Sequence, residues 1–494
     1  MCEDCRDEPP GTSVAPRGQS LRVHGLCAGR RAAGAAELST APHAADAHTR
    51  ALLEAPLVPT LLRFAAPNLG LALMQALVSG TDTWFVGRLG TDALGGLALV
   101  FPLIMLMQMM SAGAMGGGVS SSIARALGAG DVARAERLAM HALVIAVGFG
   151  LLFSAVLLAA GPGLYALLGG SDAALTQAVT YSTVLFGGAI AVWLCNILAS
   201  IVRGTGNMRV PAAVLSATAA LQIPLCGALV FGWGPFPAFG IAGAAVAYVC
   251  SFSAGALCLA AYLLAGRGRL RLRPSAARFT APLFGDILSV GLLSSFNAVQ
   301  TVATAVIVTG FVGAFGTAAL AGFGLGVRLE LLQVPVVFAL GSALVAMIGT
   351  CVGAGDLERA RRVAWAGAGL AACITGSVGL TVALFPRLWA GLFSADPDVL
   401  DAGTTYLRII GPCYAFLGIG VALYFASQGA GRVLWVVLAG SARFVIAVAG
   451  GFLLLHTAHA SPAALFVVIG AAMCVFGIGA AAAVKWRVWP LRQS

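Results

Sequence analysis

The sequence predicts an all-α polytopic membrane protein with twelve transmembrane helices in two six-helix lobes related by a parallel internal repeat. Three observations predict it. Mean hydropathy is +0.94 and only 10% of the 494 residues are charged, too few to cover a soluble surface. Apolar runs long enough to cross ~30 Å of hydrocarbon recur along the chain. They reach ~20 residues or more without strict alternation, which excludes a β-barrel. Finally, the chain is duplicated: residues 85–96 (FVGRLGTDALGG) and 311–322 (FVGAFGTAALAG) are identical at eight of twelve positions.

Taken in order, residues 1–55 are rich in Ala, Arg, Pro and Gly and show no helical period. They read as a disordered cytoplasmic N-terminal tail, without the continuous apolar core of a signal peptide. Cys2 and Cys5 form one CxxC, with Cys27 further on, and no second pair follows. A single pair does not make a metal site. Most other cysteines lie singly in apolar spans, where they behave as small hydrophobes.

Twelve apolar spans follow, at about 59–86, 93–124, 138–161, 175–202, 211–232, 239–265, 283–313, 319–351, 363–386, 402–427, 433–456 and 462–484. The first six make an N-terminal lobe, 56–265, and the last six a C-terminal lobe, 283–485. A basic cytoplasmic linker, 266–282, joins them, and 486–494 is a short tail. Fourteen arginines, Arg203 among them, follow even-numbered spans, and only Arg88 and Arg387 follow odd ones. Positive charge stays on the cytoplasmic side, so both termini are expected there, with the chain a multi-pass protein of the plasma membrane.

The repeat continues beyond the opening match. Residues 128–139 (GAGDVARAERLA) match 353–364 (GAGDLERARRVA) at an offset of 225, as do 204–206 and 429–431. Six spans per half give both halves one orientation, related by an axis along the membrane normal. Two such bundles face each other across a central cleft.

An ionisable side chain in hydrocarbon is costly and marks a functional position. Only Asp82 and Glu330 lie clearly inside spans. Asn68, Gln75, Ser79 and Asp82 share one face of span 1 within ~60°. Ser294, Asn297 and Thr301 form a matching polar line on span 7. The repeat places Val308 where the first half has Asp82. Burial of a carboxyl brings proton exchange towards physiological pH, so Asp82 reads as a proton-coupling residue. Glu330 lies ~16 Å into span 8 at 1.5 Å per residue, one turn from Gln333. It reads as a second proton or cation site, or as the neutralised partner of an arginine from another helix. Asp286, at the start of span 7, reads as a helix N-cap. Arg328, Arg408 and Arg443 read as paired or snorkelling bases. The methionines of span 2 suit either helix packing or contact with varied apolar ligands. No catalytic residue, metal site or cofactor is expected, and the absence of any GK[ST] phosphate loop points to an ion gradient as the energy source.

The APxxxxxxxQ…DTWFVGRLGTDAL run resembles the multidrug and toxic compound extrusion (MATE) family. So do the GAGD…RA loops, RGTGN, FGIAGAAVAY and ASQGAGR, over residues 56–485. The resemblance implies an antiporter that exports amphipathic, often cationic compounds in exchange for H+ or Na+ by rocking of two lobes. Some members pair the span-1 Asp with an acid on span 5, and others use acids on spans 7 or 10. Here span 5 has no acid, and spans 7 and 10 have none in their interiors.

The expected partners are small amphipathic molecules, H+ or Na+, and the bilayer, with no nucleic acid, and the chain is expected to act as a monomer. A lipid or lipid-linked precursor flippase is the alternative, but a cavity for anionic head groups calls for several bases. A membrane-embedded enzyme would need clustered acids and histidines, which the chain lacks. Cysteines introduced at 165–173 and 233–238 are expected to label from outside the cell and those at 270–276 from inside. Labelling of 270–276 from outside reverses the orientation.

Overall fold

The computed structural model describes residues 53–170, 172–273, 278–457 and 460–489. The reading of the tail and its CxxC falls almost wholly outside them. Eleven helices are long and apolar enough to cross a membrane, and a bent pair makes the twelfth. They are α1 (Leu57–Gly87), α2 (Thr91–Gly128), α3 (Val132–Leu167), α4 (Asp172–Gly187 with Ala189–Gly204), α5 (Arg209–Phe231) and α6 (Ile241–Leu264). The second half repeats them as α7 (Ala281–Gly313), α8 (Thr317–Gly353), α9 (Leu357–Leu384), α10 (Pro397–Ala430), α11 (Leu434–Leu455) and α12 (Pro462–Val488). A short turn of helix, Pro386–Ala390, precedes α10.

The two GAGD motifs set the ends of four helices. Gly130 and Gly355 adopt φ of +79° and +81°, open to glycine at no steric cost. The following Asp131 and Asp356 then cap α3 and α9, accepting from Arg134 N–H at 2.8 Å and Arg359 N–H at 2.9 Å. These polar first turns start α3 and α9 about six residues before the apolar runs begin, so the helices outrun the predicted spans. Pro67 and Pro335 lie inside unbroken helices. The irregularities fall elsewhere: π turns at Met109–Met115 and Val484–Val488, a 50° bend between Gly187 and Ala189, and a 3-10 turn at Gly411–Cys413.

Each half has its own apolar core, and the first helix of each reaches across. Leu61 of α1 is buried in a second-half cluster and Ile287 of α7 in the first-half cluster. Of the described residues between α6 and α7, Leu270 and Leu272 are buried, and Thr280 N–H donates to His141 Nε2 at 3.0 Å.

At the arginine-rich end, α2 and α8 meet about the pseudo-two-fold axis. A Cβ on Gly128 would lie 2.2 Å from the Thr350 carbonyl oxygen, and one on Gly353 would lie 2.0 Å from that of Arg125. These are the same contact in repeat-related positions. Asp286 reinforces it. It is not the N-cap expected from the sequence, because Thr280 caps α7 and Asp286 lies inside the helix. Its carboxylate instead accepts from Arg125 at 2.7 Å and Arg134 at 2.9 Å, both from the first half. Arg203 is also misplaced by the sequence reading: it is buried inside α4, not in a loop.

Gly353→Ala is expected to disfavour this closed contact by ~1–3 kcal/mol, since backbone cannot make room for the methyl. Spin labels on Ala129→Cys and Ala354→Cys, at the two GAGD turns, should then move apart. An unchanged distance distribution would contradict the packing argument.

Candidate functional site

The two intramembrane acids occupy different halves and do not meet. Asp82 sits on α1 and turns towards α5, where Gln222 Nε2 donates to its Oδ2 at 2.6 Å. The Cys226 thiol, one turn along α5, also reaches Asp82. Tyr181 of α4 and Tyr248 of α6 lie within electrostatic range. The other oxygen, Oδ1, is buried without a hydrogen-bond partner. Among the described residues Asp82 forms no ion pair. Among the described residues the carboxyl is thus held by one amide, with its second oxygen buried and unpartnered.

Glu330 sits on α8 and turns towards α10. Tyr406 OH donates to Oε1, and Tyr414 OH lies 3.5 Å from the same atom. Arg443 of α11 interacts with it electrostatically, without an ion pair inside 4.0 Å, and lies 5.7 Å from the Phe476 ring centroid. Tyr406 is the repeat counterpart of Tyr181 at the offset of 225. Gln333, one turn along α8, has a buried Nε2 without a partner.

The polar lines divide by depth. Asn68 is buried and its Nδ2 donates to Ser342 Oγ of α8 at 2.7 Å, joining the halves. Gln75 and Ser79, on the same face of α1, are exposed. Leu73 and Leu77 of the same helix are exposed as well. On α7, Ser294 is fully buried and accepts from Gln428 Nε2 at 3.0 Å. Asn297 is half-buried against Gly440 of α11, and Thr301 spends its hydroxyl on the Asn297 carbonyl at 2.9 Å. Met107 and Met115 are buried, so these two serve packing.

Sequence reasoning missed Gln222, Cys226, Tyr406 and Tyr414 as neighbours of the acids, and offered Glu330 an arginine of another helix without naming Arg443. A signal existed for two of them: Gln222 is the only amide in a span whose other polar side chains are the hydroxyls of Ser216 and Thr218, and Tyr406 recurs from Tyr181. Among the described residues no group of three or more His, Cys, Asp or Glu could hold a metal.

The MatE family model matches residues 68–227 and 294–453, one block in each half. The chain belongs to the MATE family. A curated relative in Shewanella oneidensis, named FAD transporter, is 31% identical over 76% of this chain and 82% of its own length. A probable multidrug resistance protein NorM of Thermotoga maritima is 28% identical over 76% and 80%. A solved MOP superfamily transporter from Pyrococcus furiosus superposes with a TM-score of 0.82 at 23% identity, covering 89% of this chain and 97% of that one. The twelve-helix, two-lobe architecture is therefore that of MATE transporters, a family of multi-pass multidrug efflux proteins.

Tyr406→Phe leaves buried Glu330 short of a donor, which is expected to cost ~1–3 kcal/mol of stability. Glu330→Gln combined with Tyr406→Phe should cost less than the two single changes added. Additive losses in thermal unfolding of this pair would show that the two groups do not interact.

Proposed function

We propose that this MATE protein exports amphipathic, mainly cationic small molecules in exchange for protons, with Asp82 carrying the proton step. The observation that carries the reading is the setting of Asp82. It is an acid at a position where the repeat breaks symmetry, and it is held only by neutral groups on α5. A resident cation partner would keep it ionised throughout, and none contacts it among the described residues. Protonated and ionised Asp82 then favour different packings of α1 against α5, and coupling requires only that the two packings differ in proton affinity. Span 5 offers Gln222 where a second acid would serve a Na+ site, which favours H+. Glu330 provides negative charge in the other lobe for the substrate cation. The arginine-rich loops favour both termini in the cytoplasm.

A second reading takes the substrate as an anionic dinucleotide, as the name of the Shewanella relative suggests. Arg443, which has no hydrogen-bond partner among the described residues, favours it. One pH unit supplies ~1.4 kcal/mol per proton and 100 mV adds ~2.3 kcal/mol per charge, enough to drive either export.

Efflux from vesicles under an imposed pH gradient tests both readings. Asp82→Asn is expected to fold and insert but to lose pH-driven export by at least about tenfold, the effect of ~1.4 kcal/mol. Glu330→Gln should weaken affinity for a lipophilic cationic dye more than it weakens proton coupling. Export of FAD in place of the dye would establish the second reading. Wild-type export with the same pH response in Asp82→Asn would move the proton site to Glu330.

A further inference from the structure

The repeat breaks at a further ionisable position. Arg203, near the end of α4, corresponds to Gln428 of α10 at the offset of 225. Arg203 is only 4% exposed, the one arginine or lysine buried to this degree among the described residues. Its Nη2 donates to Ser200 Oγ at 3.0 Å, the one side-chain hydrogen bond it makes among the described residues. No carboxylate accompanies it: the ionisable group that registers electrostatically is the Cys195 thiol. The other two inward arginines differ, since Arg125 is paired with Asp286 and Arg443 interacts with Glu330.

Arg203 lines a cavity of about 20 Å³ between the halves, with Gly117, Ser120 and Ser200 from the first half and Ser342 and Phe425 from the second. About 10–15 Å³ by this measure holds one water. The cavity arises from the asymmetry itself. Gly117, Ser120 and Ser200 stand where the second half carries Ser342, Val345 and Phe425, so the first half is short of side-chain volume beside this buried cation.

We propose that this cavity is a binding site for one small monovalent anion, chloride in the cell, which serves as the counter-ion of Arg203. A buried guanidinium without an opposite charge is costly. The carbonyl end of α4 compensates only part of it, and a water supplies an acceptor but no charge. Ser120 adds a hydroxyl donor on the same wall. The walls come from α2, α4, α8 and α10, so the site exists only while the halves are closed at the arginine-rich end. The anion therefore favours that arrangement.

Thermal unfolding of the purified full chain in lipid nanodiscs tests this, with sodium gluconate replaced by sodium chloride at constant ionic strength. The wild type should gain roughly 3 °C or more, saturating with chloride, because gluconate is too large for the cavity. Arg203→Gln, which copies the second half's Gln428, should abolish the gain. Ser120→Val, which copies Val345 and fills the cavity while keeping the cation, should abolish it too, and decides the matter where Arg203→Gln does not fold. No saturable gain in the wild type, or an equal gain in Ser120→Val, overturns the site.

Discussion

Close approach of helix backbones is the constraint on which this structure depends. In a bilayer, helices gain nothing by hiding apolar side chains from one another, so association relies on packing and on hydrogen bonds between helices. Glycine supplies the closeness where α2 crosses α8, with Gly128 and Gly353 each against a carbonyl of the other helix. Backbone groups released by irregular turns must be satisfied within the protein. The π turn of α2 meets this requirement across the halves, because its Gly113 carbonyl accepts from Gln428 Nε2 at 3.2 Å. The halves are thus closed at the arginine-rich end by packing and at the axis by hydrogen bonds.

Symmetry builds the fold and its breaches carry the chemistry. Asp82 has Val308 as its counterpart, Glu330 has Met105, Arg203 has Gln428 and Asp286 has Thr60. Each breach places one charge where the other half has a neutral or apolar side chain. Asp286 uses its charge to tie α7 to the first half, with arginines that are partly exposed. Such pairs are screened and individually worth ~0–1 kcal/mol when exposed, so they adjust a contact that glycine packing makes. Asp82 and Glu330 lie deeper, where removing one partner of a charged group costs more.

The architecture was legible because apolar length, arginine alternation and the internal repeat report the same twelve helices. What stayed hidden follows from what a linear pattern omits. A polar stripe shows that Asn68, Gln75, Ser79 and Asp82 share a face, but not that Asn68 touches α8 while Asp82 turns to α5. The capping role given to Asp286 failed because the helix begins at Ala281, before it. Counting Arg203 as a loop arginine failed because the helix runs to Gly204 and its side chain points between the halves. The tyrosines beside Glu330 come from α10, which no local spacing connects to α8.

α1 links the proposed proton site to the contact between halves. Fourteen residues separate Asn68 from Asp82, ~21 Å along one continuous helix. At one end, Asn68 donates across to Ser342, and at the other, Asp82 accepts from Gln222 within its own half. A hydrogen bond of the first kind contributes ~0.5–1.5 kcal/mol net, the same size as the work one proton does across one pH unit. Energies so closely matched let a change at Asp82 tip the balance at Asn68 without either site holding the helix irreversibly. A much stronger tie at Asn68 would lock the halves, and a much weaker one would let the proton move without moving them. On the proposed reading, the amide–hydroxyl pair at the axis, in place of an ion pair, suits a contact that breaks and re-forms as α1 moves.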